Sequence, residues 1–294
     1  MHTIENEKLK VTVADSGAEL ISVFDKESST ERIWCADPSV WNRHAPILFP
    51  FVGKTAGGRY CYAGQSYEMK TQHGFARDME FECVEAAADH ITHRLLPNDR
   101  TRAIYPFEFE LQVTHRLDPE DPRRLQVEWL VSNHGADTMY YSIGGHPGFT
   151  VPVQSSEERE EYFIEFPGCE DLIYMAVNPM NGLAMTVLQY ELPLENGFAP
   201  FSETLYDTWI FEDQLIRQVR IARPDKTPYV TMDCHELPML GVWTKEEGNY
   251  ICLEPWAGRT DDDGFAGSLE EKKGVQQLAA GDSKKWSYSV EFHK

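Results

Sequence analysis

An imidazole set among glycines and a carboxylate closing an apolar strand are the two places where this chain could move protons. In Tyr141-Ser-Ile-Gly-Gly-His-Pro-Gly-Phe149, His146 is flanked by Gly144, Gly145, Pro147 and Gly148. Such a backbone has little intrinsic regularity, so the sequence constrains a loop around the imidazole rather than packing a side chain. In Tyr250-Ile-Cys-Leu-Glu-Pro-Trp256, Glu254 ends an apolar strand. A carboxylate there costs free energy unless it is paired or used, and apolar neighbours raise its pKa toward the range of a working base. Two more segments bring cations. Thr71-Gln-His-Gly-Phe-Ala-Arg77 sets His73 and Arg77 near one another around a glycine that lets the backbone pass close to something. Trp41-Asn-Arg-His-Ala-Pro-Ile-Leu-Phe-Pro-Phe-Val-Gly53 opens on Arg43 and His44 and continues as an apolar run. Plainer readings exist for each: a turn with an exposed His146, a structural His73, a buried strand from Ala45 onward, and Glu254 at a strand mouth open to solvent.

The elements that must position these residues read as strands joined by turns. Stretches rich in β-branched and aromatic residues recur along the chain: Leu9 to Val13, Phe107 to Val113, Leu125 to Val131, Gln218 to Ile221 and Trp286 to Phe292. Several alternate apolar with polar, the period-2 pattern of a half-buried strand. Turn formers stand between them, among them Asp15-Ser-Gly17, Ala63-Gly64, Asn133-His-Gly135 and Ala280-Gly-Asp282. Helical periodicity is missing from any long stretch. The best local candidate for a helix is the acidic Ser155 to Glu161, which also fits a charged loop. The glycines and prolines are dispersed, and neither a linker nor a repeat marks a boundary. The expectation is a single all-β domain over residues 1–294, a large antiparallel β-sandwich with any site in a cleft on one sheet face.

Composition narrows the partners. The chain has 294 residues with 27 Lys+Arg against 48 Asp+Glu, a formal charge of −21. That surface repels a polyanion, so a nucleic-acid partner is not expected. The longest apolar runs fall far short of the roughly 20 residues of a membrane-spanning helix. The first ten residues do not read as a signal peptide, which makes the cytoplasm the expected location. Six scattered cysteines lack the C-x-x-C spacing of a structural zinc site and are expected to be reduced and buried. No metal site is expected.

Taken in order and spacing, Leu48-Phe-Pro50, His73-Gly-Phe-Ala-Arg77, Gly144-Gly-His-Pro-Gly148 and Leu253-Glu-Pro-Trp256 resemble the aldose 1-epimerase (galactose mutarotase-like) superfamily, particularly its LacX-like branch. The resemblance runs from about Leu9 to Phe292 and implies a galactose mutarotase-like supersandwich. It implies that Glu254 is the general base and His146 the general acid of an anomer interconversion, with His73 binding sugar hydroxyls. Asp207, in Leu205-Tyr-Asp-Thr-Trp-Ile-Phe211, matches a binding Asp before a short aromatic strand, and Arg43 a substrate-contacting Arg. Arg77 and Trp256 join the expected binding set, and Trp209 and Trp243 are further candidates for stacking on a sugar. On this reading Glu254 takes the C1 hydroxyl proton while His146, as imidazolium, protonates the ring oxygen. The implied partner is a small sugar, an aldohexose, with no metal or organic cofactor, acting in a monomer or homodimer. Arg43, Arg59 and Arg77 also raise a hexose 6-phosphate as substrate, because a related branch acts on these, although the overall charge favours neutral aldoses. A sugar sensor without catalysis keeps the same fold, and a polysaccharide-processing enzyme is a third reading.

Overall fold

The structure is a computed structural model that describes residues 1–212 and 216–294. Alternation of apolar and polar residues builds its centre. In Phe109–Leu117 and Arg124–Asn133 every second side chain is buried, and the two strands pair antiparallel with Val113 opposite Trp129 and Leu111 opposite Val131. Each such fully buried apolar side chain contributes about 1.5–3 kcal/mol. These strands lie in a nine-stranded antiparallel sheet that runs from Phe198–Pro200 at one edge, through Ser283–Phe292, to Glu82–Ala86 at the other. A second large sheet runs from Ala184–Pro193 to Ile47–Leu48 and has Tyr250–Ala257 between Met239–Trp243 and Ile143–Gly145. The β-sandwich expected from the sequence is therefore present. The single α-helix among the described residues is Asp99–Ile104. None of the described helices is long and apolar enough to cross a membrane.

The second sheet positions Glu254 through the way Tyr250–Ala257 is shared between its faces. Successive strand side chains point to opposite sides. Ile251, Leu253 and Ala257 enter the main core, which also holds Val127, Trp129 and Tyr288 from the nine-stranded sheet. Cys252, Glu254 and Trp256 are left for the other face. At Gly145 the two sheets come so close that a Cβ would lie 3.2 Å from Tyr288 and 3.3 Å from Trp129, so glycine fixes the sheet spacing where His146 follows.

Some local expectations need correction. Of the two readings open for Ser155 to Glu161, the charged loop holds, with only Arg159–Glu161 forming a short 3-10 turn. The run from Ala45 to Val52 is buried as expected, but only Ile47–Leu48 joins the ladder, since Pro46 and Pro50 have no N–H to donate. The strand begun at Phe107 starts at Phe109 and reaches Leu117. All six cysteines are free, yet only Cys234 and Cys252 are buried; Cys35 and Cys61 are exposed. Cys61 shows the reason: it lies on the outward face of the small hairpin Arg59–Tyr62 and Gln65–Glu68, where alternation sends Tyr60 inward instead.

Candidate active site

Three adjacent strands of the second sheet bring the acid and the base together. Ile143–Gly145 and Met239–Trp243 both pair with Tyr250–Ala257, with Gly144 opposite Trp256 and Gly241 opposite Glu254. A Cβ at Gly144 would lie 2.4 Å from the Trp256 ring, and one at Gly241 also 2.4 Å from its far edge. The indole of Trp256 thus lies flat over two glycines beside Glu254. Gly148 does the same for Trp41, whose ring would be 2.8 Å from its Cβ. That clearance lets Trp41 lean on His146, with ring centroids 5.0 Å apart and planes at 32°. Trp243 meets His146 edge to face at 5.4 Å. The glycines around His146 therefore make room for the aromatic walls of the site.

His146 Nε2 and Glu254 Oε2 are 3.3 Å apart, and the residues are 7% and 2% exposed. Burial penalises the charged form of each. It pushes the His146 imidazole down to about 3, helped by the Arg77 guanidinium. It raises the Glu254 carboxyl well above its usual range, against a smaller opposing influence of the Trp256 indole, whose N–H makes no full hydrogen bond. The resting pair thus favours neutral imidazole and neutral carboxyl, which departs from the imidazolium expected of His146. His146 Nδ1 is buried without a hydrogen-bond partner.

His73 is fixed by its own backbone. At φ 65° it folds back so that its N–H donates to the Gly53 carbonyl at 2.7 Å, while its Nδ1 accepts from the Gly53 N–H at 3.0 Å. The neutral ring must then carry its proton on Nε2, and burial keeps it neutral, with His146, Arg77 and Lys54 acting in the same direction. Nε2 is 2.8 Å from the Gln72 amide, whose oxygen must face it to accept that proton. His73 and His146 meet edge to face at 5.4 Å. His73 is thereby a fixed neutral ring with its proton on Nε2, next to His146 and Glu254.

A cavity of about 550 Å³ opens over these groups, and every one of the expected site residues lines it: Glu254, His146, His73, Asp207, Arg43, Arg77 and Trp256. Asp207 ends the 3-10 turn Glu203–Asp207, directly before the strand Trp209–Glu212, and its side chain is exposed toward the cavity. Arg43 is held by Asp78 and by the Arg77 carbonyl, the latter at 3.1 Å. Arg77 is half-buried, its Nε without a hydrogen bond and 3.9 Å from Asp78 Oδ2. Two candidates drop out. Trp209 is wholly buried in the core with its N–H on Thr204 at 2.8 Å, and Arg59 lines a different cavity.

Sequence reasoning missed Lys54, Gln72, Tyr206 and Lys245, all of which line the same cavity. Lys54 is placed by Thr260, whose Oγ1 accepts its N–H at 3.0 Å; its position after Gly53 was the one available signal. Lys245 and Tyr206 are placed by Arg159, a buried guanidinium that donates to the carbonyls of Lys245 and Gly248 at 2.5 Å and to the Tyr206 hydroxyl at 3.3 Å. Nothing in the local sequence marks that link, which spans 86 residues. As to metals, His146, Cys252 and Glu254 offer ligand atoms within 4.8 Å of one another, but Cys252 packs with Trp34 and Tyr250 rather than lining the cavity.

Comparison with known proteins gives the chain a family and a fold. The family model described as aldose 1-epimerase matches residues 1–286. The chromosomal protein LacX of Lactococcus lactis subsp. lactis is 30% identical over 98% of this chain and 97% of its own. Among solved structures, a galactose mutarotase related enzyme from Lactobacillus acidophilus is 32% identical, with a TM-score of 0.92 over 100% of this chain and 97% of that one. A galactose mutarotase-like protein from Lactobacillus casei ATCC 334 is 30% identical, with a TM-score of 0.90 and full coverage of both chains.

Proposed function

From the premise that this chain belongs to the aldose 1-epimerase family, which supports a mutarotase-type role, we propose that it interconverts the α and β anomers of a hexose by acid/base ring opening at Glu254 and His146. The observation that carries this reading is the 3.3 Å separation of His146 Nε2 and Glu254 Oε2 at the floor of the cavity. The two oxygens that exchange protons in ring opening are bonded to one carbon, so an acid and a base that serve them must converge to within a few ångströms.

The pair works while it holds one proton between its members. Glu254 accepts the proton of the C1 hydroxyl, His146 gives one to the ring oxygen, the C1–O5 bond breaks with its electrons left on O5, and the C1 carbonyl forms. Rotation about C1–C2 turns the other carbonyl face to O5. On closure His146 recovers its proton from the O5 hydroxyl and Glu254 returns its own to O1, so no net proton is exchanged. The microstate with the proton on His146 is disfavoured in the empty site by burial. A sugar hydroxyl donating to Glu254 and a ring oxygen accepting from His146 shift the proton the required way, without changing the number the pair holds. The His73 Nε2–H, which rests on the Gln72 amide in the empty site, turns to a sugar hydroxyl that displaces that amide, Asp207 accepts from other hydroxyls, and the flat face of Trp256 borders the sugar.

A second substrate reading has a specific observation behind it. The cavity is lined by four cations, Arg43, Arg77, Lys54 and Lys245, against the acids Glu254 and Asp207, in a chain where acids outnumber bases 48 to 27. Such a lining suits a hexose 6-phosphate. Yet Arg43 is held by Asp78 and Lys245 by the Val40 carbonyl, so a neutral aldohexose remains the first reading. Optical rotation of freshly dissolved α-glucose, α-galactose and glucose 6-phosphate, with and without the protein, tests both. Acceleration of any one supports mutarotation, and acceleration of none overturns it.

A further inference from the structure

Away from the cavity, three metal-ligating side chains from three strands converge. His2 lies on His2–Glu5, Cys83 on Glu82–Ala86 and His93 on His90–Leu95. Cys83 and His93 are directly opposite in the antiparallel ladder, and the register slips immediately beyond, between Cys83 and Glu85. A slip of this kind re-aims the side chains beside it. His2 and His93 meet edge to face with ring centroids 5.6 Å apart. A ring nitrogen from each and the Cys83 sulfur all lie within 4.8 Å of one another. Asp15 Oδ1 is 3.0 Å from His2 Nε2 and 3.1 Å from His93 Nε2. The His93 side chain is fully buried, and its Nδ1 has no hydrogen-bond partner. None of these residues lines the cavity of the acid/base pair.

We propose that His2, Cys83 and His93 form a binding site for a zinc-like divalent cation that ties the first strand to the edge of the nine-stranded sheet. One thiolate and two imidazoles are the donor set of a tetrahedral zinc, with one position left for water or a carboxylate oxygen. Asp15 takes the part of the carboxylate that orients ligating imidazoles: it accepts from His93 Nε2–H and leaves the unpartnered Nδ1 to ligate. Ligand atoms around such an ion are about 3.5 Å apart, closer than the 4.8 Å limit within which these lie. His2 and Cys83 are only half-buried, so their side chains can close the difference. Binding releases the Cys83 thiol proton. With ligands at positions 2, 83 and 93, the site leaves no contiguous pattern in the sequence.

The test uses the full chain, stripped with a chelator and titrated with Co²⁺ and then Zn²⁺. One Co²⁺ per chain is expected, with tetrahedral visible bands and a thiolate charge-transfer band that Zn²⁺ displaces, and Zn²⁺ should raise the Tm. Cys83→Ser should lose the thiolate band and bind Zn²⁺ at least about tenfold more weakly, and His2→Ala should weaken it similarly. His2 and Cys83 are not core residues, and circular dichroism of the metal-free variants shows whether each is folded. The metal-free optical-rotation rate of Cys83→Ser should match the wild type. Absence of the thiolate band in the wild type overturns the proposal. So does its persistence in Cys83→Ser, its loss on replacing the exposed Cys35 and Cys61, or its loss in Cys252→Ser, which would place the ion at the acid/base pair. The metal-binding and Tm readouts do not require the protein to be a mutarotase.

Discussion

At the scale of single residues the account rests on Glu254 and His146. Glu254→Gln keeps the shape of the side chain and removes its basicity, so the rate should fall by about 10² to 10⁴, with circular dichroism unchanged. His146→Asn should lower kcat more than it raises KM, because the proposed role of His146 is proton transfer. His73→Asn should raise KM at least as much as it lowers kcat, since the proposed role of His73, a ring fixed by Gly53, is to bind a hydroxyl. A His146→Asn enzyme whose only defect is in KM would exchange the acid and binding roles. These residues were legible in the sequence because each sits in an unusual local setting: His146 among glycines, Glu254 at the end of an apolar strand, His73 beside a glycine. Their protonation was not legible. Whether an imidazole is charged depends on how many side chains enclose it, and here Trp41, Trp243 and His73 all close on the His146 ring.

At the scale of elements, the site exists because glycines on neighbouring strands leave room for the indoles. Gly144→Ala puts a methyl carbon 2.4 Å from the Trp256 ring in its present position, so the indole must shift beside Glu254. Destabilisation of about 1–3 kcal/mol is expected from overpacking, together with slower turnover; thermal unfolding and a kcat measurement on the variant check both. An unchanged kcat would mean that the position of Trp256 does not matter to the reaction. Most strands were visible as alternating runs, since burial of one sheet face imprints itself on every second residue. What alternation could not supply is which strands become neighbours. Arg159 lies in an acidic segment that reads as a helix or a loop, yet it holds Lys245 and Tyr206 at the cavity through contacts with distant carbonyls. Proline likewise limits the buried Ala45 to Val52 run to two ladder residues, while the Pro46, Phe49 and Pro50 carbonyls accept from the N–H groups of His146, Phe75 and Ser142.

At the scale of the whole molecule, buried histidines link folding and activity to pH. His146 and His115 are both pushed down to about 3 by burial, and His73 well below its ordinary value of 6.5. Each is neutral when folded and takes up a proton on unfolding below about 6.5, so the stability they contribute is complete above 6.5 and is lost as pH falls toward 3. Glu254 acts oppositely: its raised pKa stabilises the fold below about 4.5, and that contribution is lost as pH rises through the folded-state value. Between 4.5 and 6.5 three histidines outweigh one carboxyl, so Tm should drop from pH 7 to pH 5. A flat or rising Tm would contradict this assignment of buried charge. For activity, the pair must hold one proton. The acid limb of kcat should therefore lie below 6.5, where an ordinary histidine would place it, and the alkaline limb above the usual carboxylate range. The net charge of −21 should also slow the encounter with a phosphorylated sugar at low ionic strength and be screened by salt, unless the four cations of the cavity prevail. Comparing kcat/KM for glucose and glucose 6-phosphate at two salt concentrations decides between field and pocket; preference for the phosphate at both assigns the substrate to the 6-phosphates.

The most direct test of the central claim is the decay of optical rotation of fresh α-glucose, α-galactose and glucose 6-phosphate, followed side by side with the wild-type protein and folded Glu254→Gln. The account predicts that the wild type accelerates the approach to the equilibrium rotation for at least one of these sugars and that Glu254→Gln leaves it close to the uncatalysed rate. Equal acceleration by both proteins, or none by the wild type with any of the three, would contradict it.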